Sequence, residues 1–146
     1  MYTFFGESEH SLDDKGRVII PARHRAAFES GIFVTRGLES CLWVFTLDTW
    51  HQLTQKLAAT GLTQHDARQL DRLLYSGSEG RLDKQGRLLI PASLRNYAGI
   101  KDGDAAVVVG VKNRLELWNR ERWTSLTEQL GQQGSTFAES LAELGI

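Results

Sequence analysis

Leu12-Asp13-Asp14-Lys15-Gly16-Arg17-Val18-Ile19-Ile20-Pro21-Ala22-Arg23-His24-Arg25 decides how this chain is read, because it returns as Leu82-Asp83-Lys84-Gln85-Gly86-Arg87-Leu88-Leu89-Ile90-Pro91-Ala92-Ser93-Leu94-Arg95. The copies have a constant offset of 70 and share eight of fourteen positions: Leu12/Leu82, Asp13/Asp83, Gly16/Gly86, Arg17/Arg87, Ile20/Ile90, Pro21/Pro91, Ala22/Ala92 and Arg25/Arg95. Each copy holds an Asp able to bond its own turn, a Gly able to take a positive φ, and an apolar run ending in Pro. The pattern predicts a strand entering a tight turn, a second strand leaving it, and a short helix starting at the Pro. Arg17 and Arg87 then fall just past two like turns.

Outward from these stretches the likeness continues with an offset of 73: Gly37 matches Gly110, Leu42 matches Leu115, Trp50 matches Trp123, Leu53 matches Leu126, and Phe45 faces Trp118 as aromatic for aromatic. A three-residue insertion between helix and hairpin accounts for the shift from 70 to 73. Each unit therefore reads strand, turn, strand, helix, hairpin, helix, and two long copies argue for a fused duplication, not a solenoid. In the first copy, strands are expected at 4–12, 17–20, 32–37 and 41–46, where β-branched and aromatic residues gather. Trp50, Leu53, Leu57 and Ala58 follow helical spacing until Thr60-Gly61, and a further helix over 63–75 has Ala67, Leu70, Leu73 and Leu74 on one face. The second copy repeats the plan with strands at 87–90, 105–111 and 114–119. Two tail helices are expected over 124–133 and 136–145. The resulting organisation is lobe 1 at 5–53, lobe 2 at 80–126, a helical connector at 54–79 and a helical tail at 127–146. Lobes of about 45 to 50 residues are marginal alone, which favours one compact domain with a shared core.

At 146 residues with 41% hydrophobic content the chain can bury a sizeable core, and its net charge of −1 excludes the strongly basic kind of nucleic-acid binder. The distribution says more than the sum. Lys15, Arg17, Arg23 and Arg25 sit together with no acid among them, whereas the last eleven residues carry Glu139 and Glu143 and no base. A local basic face is compatible with a neutral whole. The lone Cys41 excludes an intramolecular disulfide, fits a reducing compartment and reads as a small buried residue. The first residues lack a basic stretch followed by an apolar one, and no run reaches membrane-spanning length, so a cytoplasmic protein without a membrane partner is expected.

Enzyme chemistry is poorly supported. There is no nucleophile elbow, and Gly77-Ser78-Glu79-Gly80 is not followed by the Lys-Ser or Lys-Thr of a phosphate-binding loop. His10, His24, His51 and His65 are scattered without ligand spacing, so no metal, no cofactor and no small-molecule substrate are expected. Trp43, Trp50, Trp118 and Trp123 read as core or interlobe packing in preference to base stacking.

The two Asp-x-x-x-Arg motifs, each inside an Asp-x-x-Gly-Arg turn followed by an apolar strand and Pro, resemble those of the AbrB-like (SpoVT-AbrB) swapped-hairpin transcription factors of bacteria, over essentially the whole chain. The resemblance implies an α+β fold in which two tandem AbrB-like lobes form a pseudo-symmetric swapped-hairpin β-barrel with flanking helices. It also implies a ring-like homo-oligomer, an octamer being one size, that binds double-stranded DNA at repeated promoter boxes. Such a nucleoid-associated regulator would act on its own division and cell-wall operon, with repression the favoured sense. Carried onto this chain, the DNA contacts fall on Arg17 and Arg87, whose planar guanidinium suits phosphate oxygens or a guanine edge. Lys15, Lys84, Arg23, Arg25 and Arg81 are flanking phosphate or groove contacts, on charge and nearness in sequence. Asp13, Gly16, Asp83 and Gly86 shape the turns.

Several alternatives stay open at this point. The Asp and Arg of each motif can pair across the turn and do no more, and Arg25 and Arg95 can equally be solvated helix-face charges. Gln85 replaces Lys15 and Ser93 replaces Arg23 in the second copy, so the first is the more cationic. A competing class is an antitoxin-like or scaffold module that binds a protein partner. AbrB-type antitoxins usually have one lobe and a disordered tail, against two lobes and a helical tail here.

Overall fold

Alternation of side chains along its strands sets the layers of this molecule, which a computed structural model describes over residues 2–59, 61 and 63–146. The first half runs β1 (Glu7–Ser11), β2 (Arg17–Ile19), α1 (Ala22–Arg25) with a 3-10 turn at Ala26–Phe28, β3 (Ile32–Arg36), β4 (Leu42–Thr46) and α2 (Leu47–Leu57). After α3 (His65–Leu74), the second half runs β5 (Ser78–Gly80), β6 (Arg87–Leu89), α4 (Ala92–Ala98), β7 (Ala105–Val111), β8 (Arg114–Asn119) and α5 (Arg120–Gln132), followed by α6 (Gly134–Glu143). The expected end of α2 at Thr60 lies outside the described residues. The strand expected ahead of the second turn is β5, formed by Ser78–Gly80.

The fold is α+β and every strand pairing is antiparallel. The order of the six-stranded sheet is β1-β7-β8-β4-β3-β5, and β2 and β6 make a separate ribbon. The turn after β1 therefore does not close a hairpin, as the sequence suggested. It carries the chain from one sheet to the other. The first strand of each half joins the hairpin of the opposite half: β1 lies on β7, and β5 on β3. Both remain edge strands, and among the described residues no pairing closes the sheet into a barrel.

Two pairings mark a pseudo-twofold axis. Val18 opposes Leu88, its own counterpart at the offset of 70, and Trp43 opposes Glu116, its counterpart at the offset of 73. Register also corrects the sequence alignment in one strand. Gly80 opposes Ile32 and its counterpart His10 opposes Ala106, so β3 and β7 are related by an offset of 74 and Gly110 takes the place of Arg36, not of Gly37. The second half thus gains four residues before β7 and loses one in its hairpin loop. That loop is reduced to Lys112 and Asn113, whereas the first hairpin bends through Glu39 and Ser40, both at positive φ.

Period-two alternation then divides the core. Ile32, Val34, Ala106 and Val108 point to an inner cluster that also takes Val18, Ile20, Leu88, Ile90, Phe28 and Leu94 from both halves. On the other face, Phe33, Phe45 and Trp50 pack with α2 and α3, and Trp50 stacks on Phe33 at 3.8 Å between centroids. Val107, Val109, Trp118 and Cys41 pack there with Trp123 and Leu126 of α5. Burial pushes the Cys41 thiol up to about 12, so it is an inert apolar filler. Thr46 and Asn119, again counterparts at the offset of 73, cap α2 and α5 by accepting from the backbone N–H of Thr49 and Arg122. No helix among the described residues is long and apolar enough to cross a membrane.

Candidate functional site

The site is built first from local hydrogen bonds. Asp13 Oδ1 accepts from the backbone N–H of Lys15 at 2.9 Å and of Arg17 at 2.8 Å, and its Oδ2 accepts from Arg17 Nε at 2.8 Å. Asp83 repeats this with Gln85 at 2.9 Å, Arg87 N at 2.9 Å and Arg87 Nε at 2.8 Å. Gly16 and Gly86 close the turns at φ +79° and +77°. Each Asp is thus a turn former and an arginine holder at once. Partial burial pushes the Asp13 carboxyl up, but the Arg17 backbone N–H, the Arg17 guanidinium and the Lys15 N–H outweigh it and hold the group below the usual carboxylate range. At Asp83 the Arg87 backbone N–H leads, works against desolvation, and is joined by the Arg87 side chain and Gln85 N–H.

Tertiary pairing then brings the two turns together. In the ribbon, Arg17 opposes Leu89 and Ile19 opposes Arg87. Residues directly opposite share a face, so all four side chains stand on the outer side, and Val18 and Leu88 are sealed beneath. Arg87 Nη1 also comes within 3.9 Å of Asp13 Oδ2, which places Asp13 between both guanidinium groups. Exposed pairs of this kind contribute little to stability. Their effect is orientation: with Nε held by its own Asp, each guanidinium is fixed beside its turn, its side chain 25% exposed for Arg17 and 27% for Arg87. The terminal nitrogens of Arg17 make no hydrogen bond among the described residues.

The halves also brace one another. Arg25 lies against Gly86 of the second turn and donates from Nε to Ile20 O at 2.8 Å; Arg95 lies against Gly16, 2.9 Å from a Cβ placed there, and donates from Nη1 to Asp102 at 3.0 Å. The backbone repeats the crossing, with Ile20 N–H donating to Gly86 O at 2.9 Å and Ile90 N–H to Gly16 O at 2.8 Å. A side chain at either glycine would meet an arginine of the other half.

The remaining predicted residues are placed less centrally. Lys15 and Lys84 are exposed on the two turns. Arg81 is exposed and reaches Glu29 O at 3.5 Å, bordering a shallow depression with Arg25 and Lys84. Arg23 turns toward Gly6, where a Cβ would lie 2.9 Å from its Nη2. Among the described residues, no group of three or more His, Cys, Asp or Glu side chains is placed to hold a metal. Ile19 and Leu89, within apolar runs that read in sequence as strand, also stand on this outer face. The alternation of Arg17, Val18 and Ile19 is the signal that separates them from the core, but three residues are too few to show a period.

The family model described as "MraZ protein, putative antitoxin-like" matches the chain twice, over residues 3–73 and 74–143. A "Transcriptional regulator MraZ" from Roseiflexus castenholzii is 42% identical over 142 residues, 97% of this chain and 98% of that one. Proteins of the same name are 46% identical in Thermus thermophilus, over 86% of this chain and 88% of that one, and 46% identical in Desulfitobacterium hafniense, over 98% and 99%. The solution structure of PHS018 from Pyrococcus horikoshii aligns at 22% identity over 77% of this chain and 94% of that one, with a TM-score of 0.36 that is too low to bear on the fold. With both halves matched by one model and relatives aligned along almost its full length, the chain belongs to the MraZ family.

Proposed function

We propose that the chain is a DNA-binding transcriptional regulator whose β2–β6 ribbon meets the duplex. One observation carries this reading: two arginines from matching positions of the two halves stand on one exposed face, each aimed by its own carboxylate. A two-stranded ribbon fits a major groove about 12 Å wide, and β-ribbons are a known means of reading it. With Nε engaged by Asp, the paired terminal nitrogens of Arg17 and Arg87 form a fork for guanine O6 and N7 or for phosphate oxygens. Lys15, Lys84 and Arg81 add flanking phosphate contacts, and Arg23 and Arg25 contribute charge behind them. The names of the relatives support a regulatory role.

The finer reading is a repressor of its own division and cell-wall operon, resident at the nucleoid. Lobes at 5–53 and 80–126 on a swapped-hairpin plan are part of this reading, supported by the pairing of β1 with β7 and of β5, which starts two residues ahead of the second lobe, with β3. One subunit neutralises few phosphates and binds weakly. A ring-like homo-oligomer on repeated boxes raises avidity by roughly 10² to 10⁴ where spacings match.

A gel shift on the DNA upstream of the chain's own coding region tests the reading. Arg17→Ala and Arg87→Ala are each expected to lose about tenfold or more in affinity, with the circular dichroism spectrum unchanged. Unaltered affinity in both would remove the ribbon from the interface. A single box bound as tightly as an array, or a monomer in sedimentation, would remove the avidity argument.

A further inference from the structure

Ile19 and Leu89 are 40% and 58% exposed, although each is one residue from a side chain that is 1% exposed. Neither contributes to the core beneath. They stand on the ribbon's outer face, Ile19 beside Arg87 and Leu89 beside Arg17, so that cation and aliphatic group alternate around four corners. The second half keeps the arrangement while changing Ile to Leu, which preserves an apolar tip and not a particular shape. Aliphatic groups flanked by guanidinium groups suit a ligand that is anionic overall and carries small apolar groups at the same depth as its hydrogen-bond acceptors. In the major groove, guanine presents O6 and N7, and thymine presents its 5-methyl beside O4.

We propose that Ile19 and Leu89 are specificity residues that pack on thymine 5-methyl groups while Arg17 and Arg87 engage neighbouring acceptors. This rests on the DNA reading above. Burying one methyl corresponds to roughly a fourfold gain in affinity and burying two to roughly fifteenfold. Arginine sets orientation and the aliphatic pair selects for thymine next to it.

The test removes the methyl from the DNA instead of from the protein. The region upstream of the coding sequence is amplified once with dTTP and once with dUTP, giving fragments that differ only in the 5-methyl of thymine. Wild-type protein is expected to bind the uracil fragment roughly fourfold to fifteenfold more weakly. A variant carrying both Ile19→Ala and Leu89→Ala is expected to bind the two fragments alike, and Arg17→Ala is expected to keep the preference at lower overall affinity. Equal binding of both fragments by wild type overturns the proposal, as does an undiminished preference in the double variant. A double variant that loses multimer size yet keeps the preference assigns the pair to contact between copies, and also overturns it. Failure of wild type to bind either fragment above random DNA overturns the DNA reading itself, a result distinct from equal binding.

Discussion

The two turns repeat the same Asp hydrogen bonds, all at 2.8 Å or 2.9 Å, yet their surroundings diverge. Around the first stand Asp14, Lys15 and the exposed Arg23; around the second, Lys84, Gln85 and Ser93, so the charges are placed differently although their sum is the same. Arg25, bracing the second turn, is pinned by Ile20 O, whereas Arg95, bracing the first, keeps a buried Nε without a partner among the described residues. Behind them, His24 and Leu94 fill equivalent, fully buried places. Geometry that depends on a few short-range hydrogen bonds is duplicated closely, and charge on the flanks is free to differ. Asymmetry between the two turns therefore lies in where charge is placed, while their backbone geometry is shared.

Glycine substitution breaks the comparison most sharply. Gly86→Ala is expected to cost about 2–3 kcal/mol, from the left-handed backbone and displacement of the pinned Arg25. Gly16→Ala is expected to cost about 1–2 kcal/mol, because Arg95 is held less firmly. Urea unfolding of both variants measures the difference, and equal costs would show that the bracing arginines do not matter. The carboxylates come next. Asp13→Asn is expected to weaken binding to the upstream fragment by about fivefold, because it loosens the aim of Arg17 and removes the charge shared with Arg87. Asp83 holds one arginine alone, so Asp83→Asn is expected to lose less, and gel shifts at fixed salt rank the two.

Charge flanks sharpen the comparison further. Lys15→Gln is expected to lower the salt slope of DNA binding by about one unit, and Gln85→Lys to raise it by about one, with small changes in affinity at low salt. The smallest effect concerns acid. Burial first, then Arg23, holds the His24 imidazole below its ordinary 6.5. Its neutral form is favoured in the fold, so this contribution to stability is complete above pH 6.5 and is lost as pH falls through the lower folded value. His24→Leu, copying Leu94, is expected to lose less melting temperature between pH 7 and pH 5 than wild type. A parallel decline in both proteins would exclude His24 as the source.

The residues that were legible early are those whose structure depends on near neighbours. Asp13 and Asp83 bond amides two and four residues on, and Gly16 and Gly86 occupy positive φ. Trp50, expected in packing, is indeed stacked in the core. Gly110 was misaligned because one glycine looks like another, and only the partner across the strand shows that it occupies the Arg36 position. The crossing of Arg25 onto Gly86 had no trace in spacing at all.

By itself, then, the sequence determined the duplication, the two turn geometries and the alternation of elements, because each arises from hydrogen bonds and torsions spanning a few residues. Tertiary structure decided that β1 and β5 change partners, that β2 and β6 pair, and that two distant arginines share one face with Ile19 and Leu89. Strand pairing across such separations is selected by which faces can be buried together, and a three-residue strand carries too little pattern to declare its face. The ribbon has an outer face only because Val18 and Leu88 are drawn into a common core, which turns their neighbours outward.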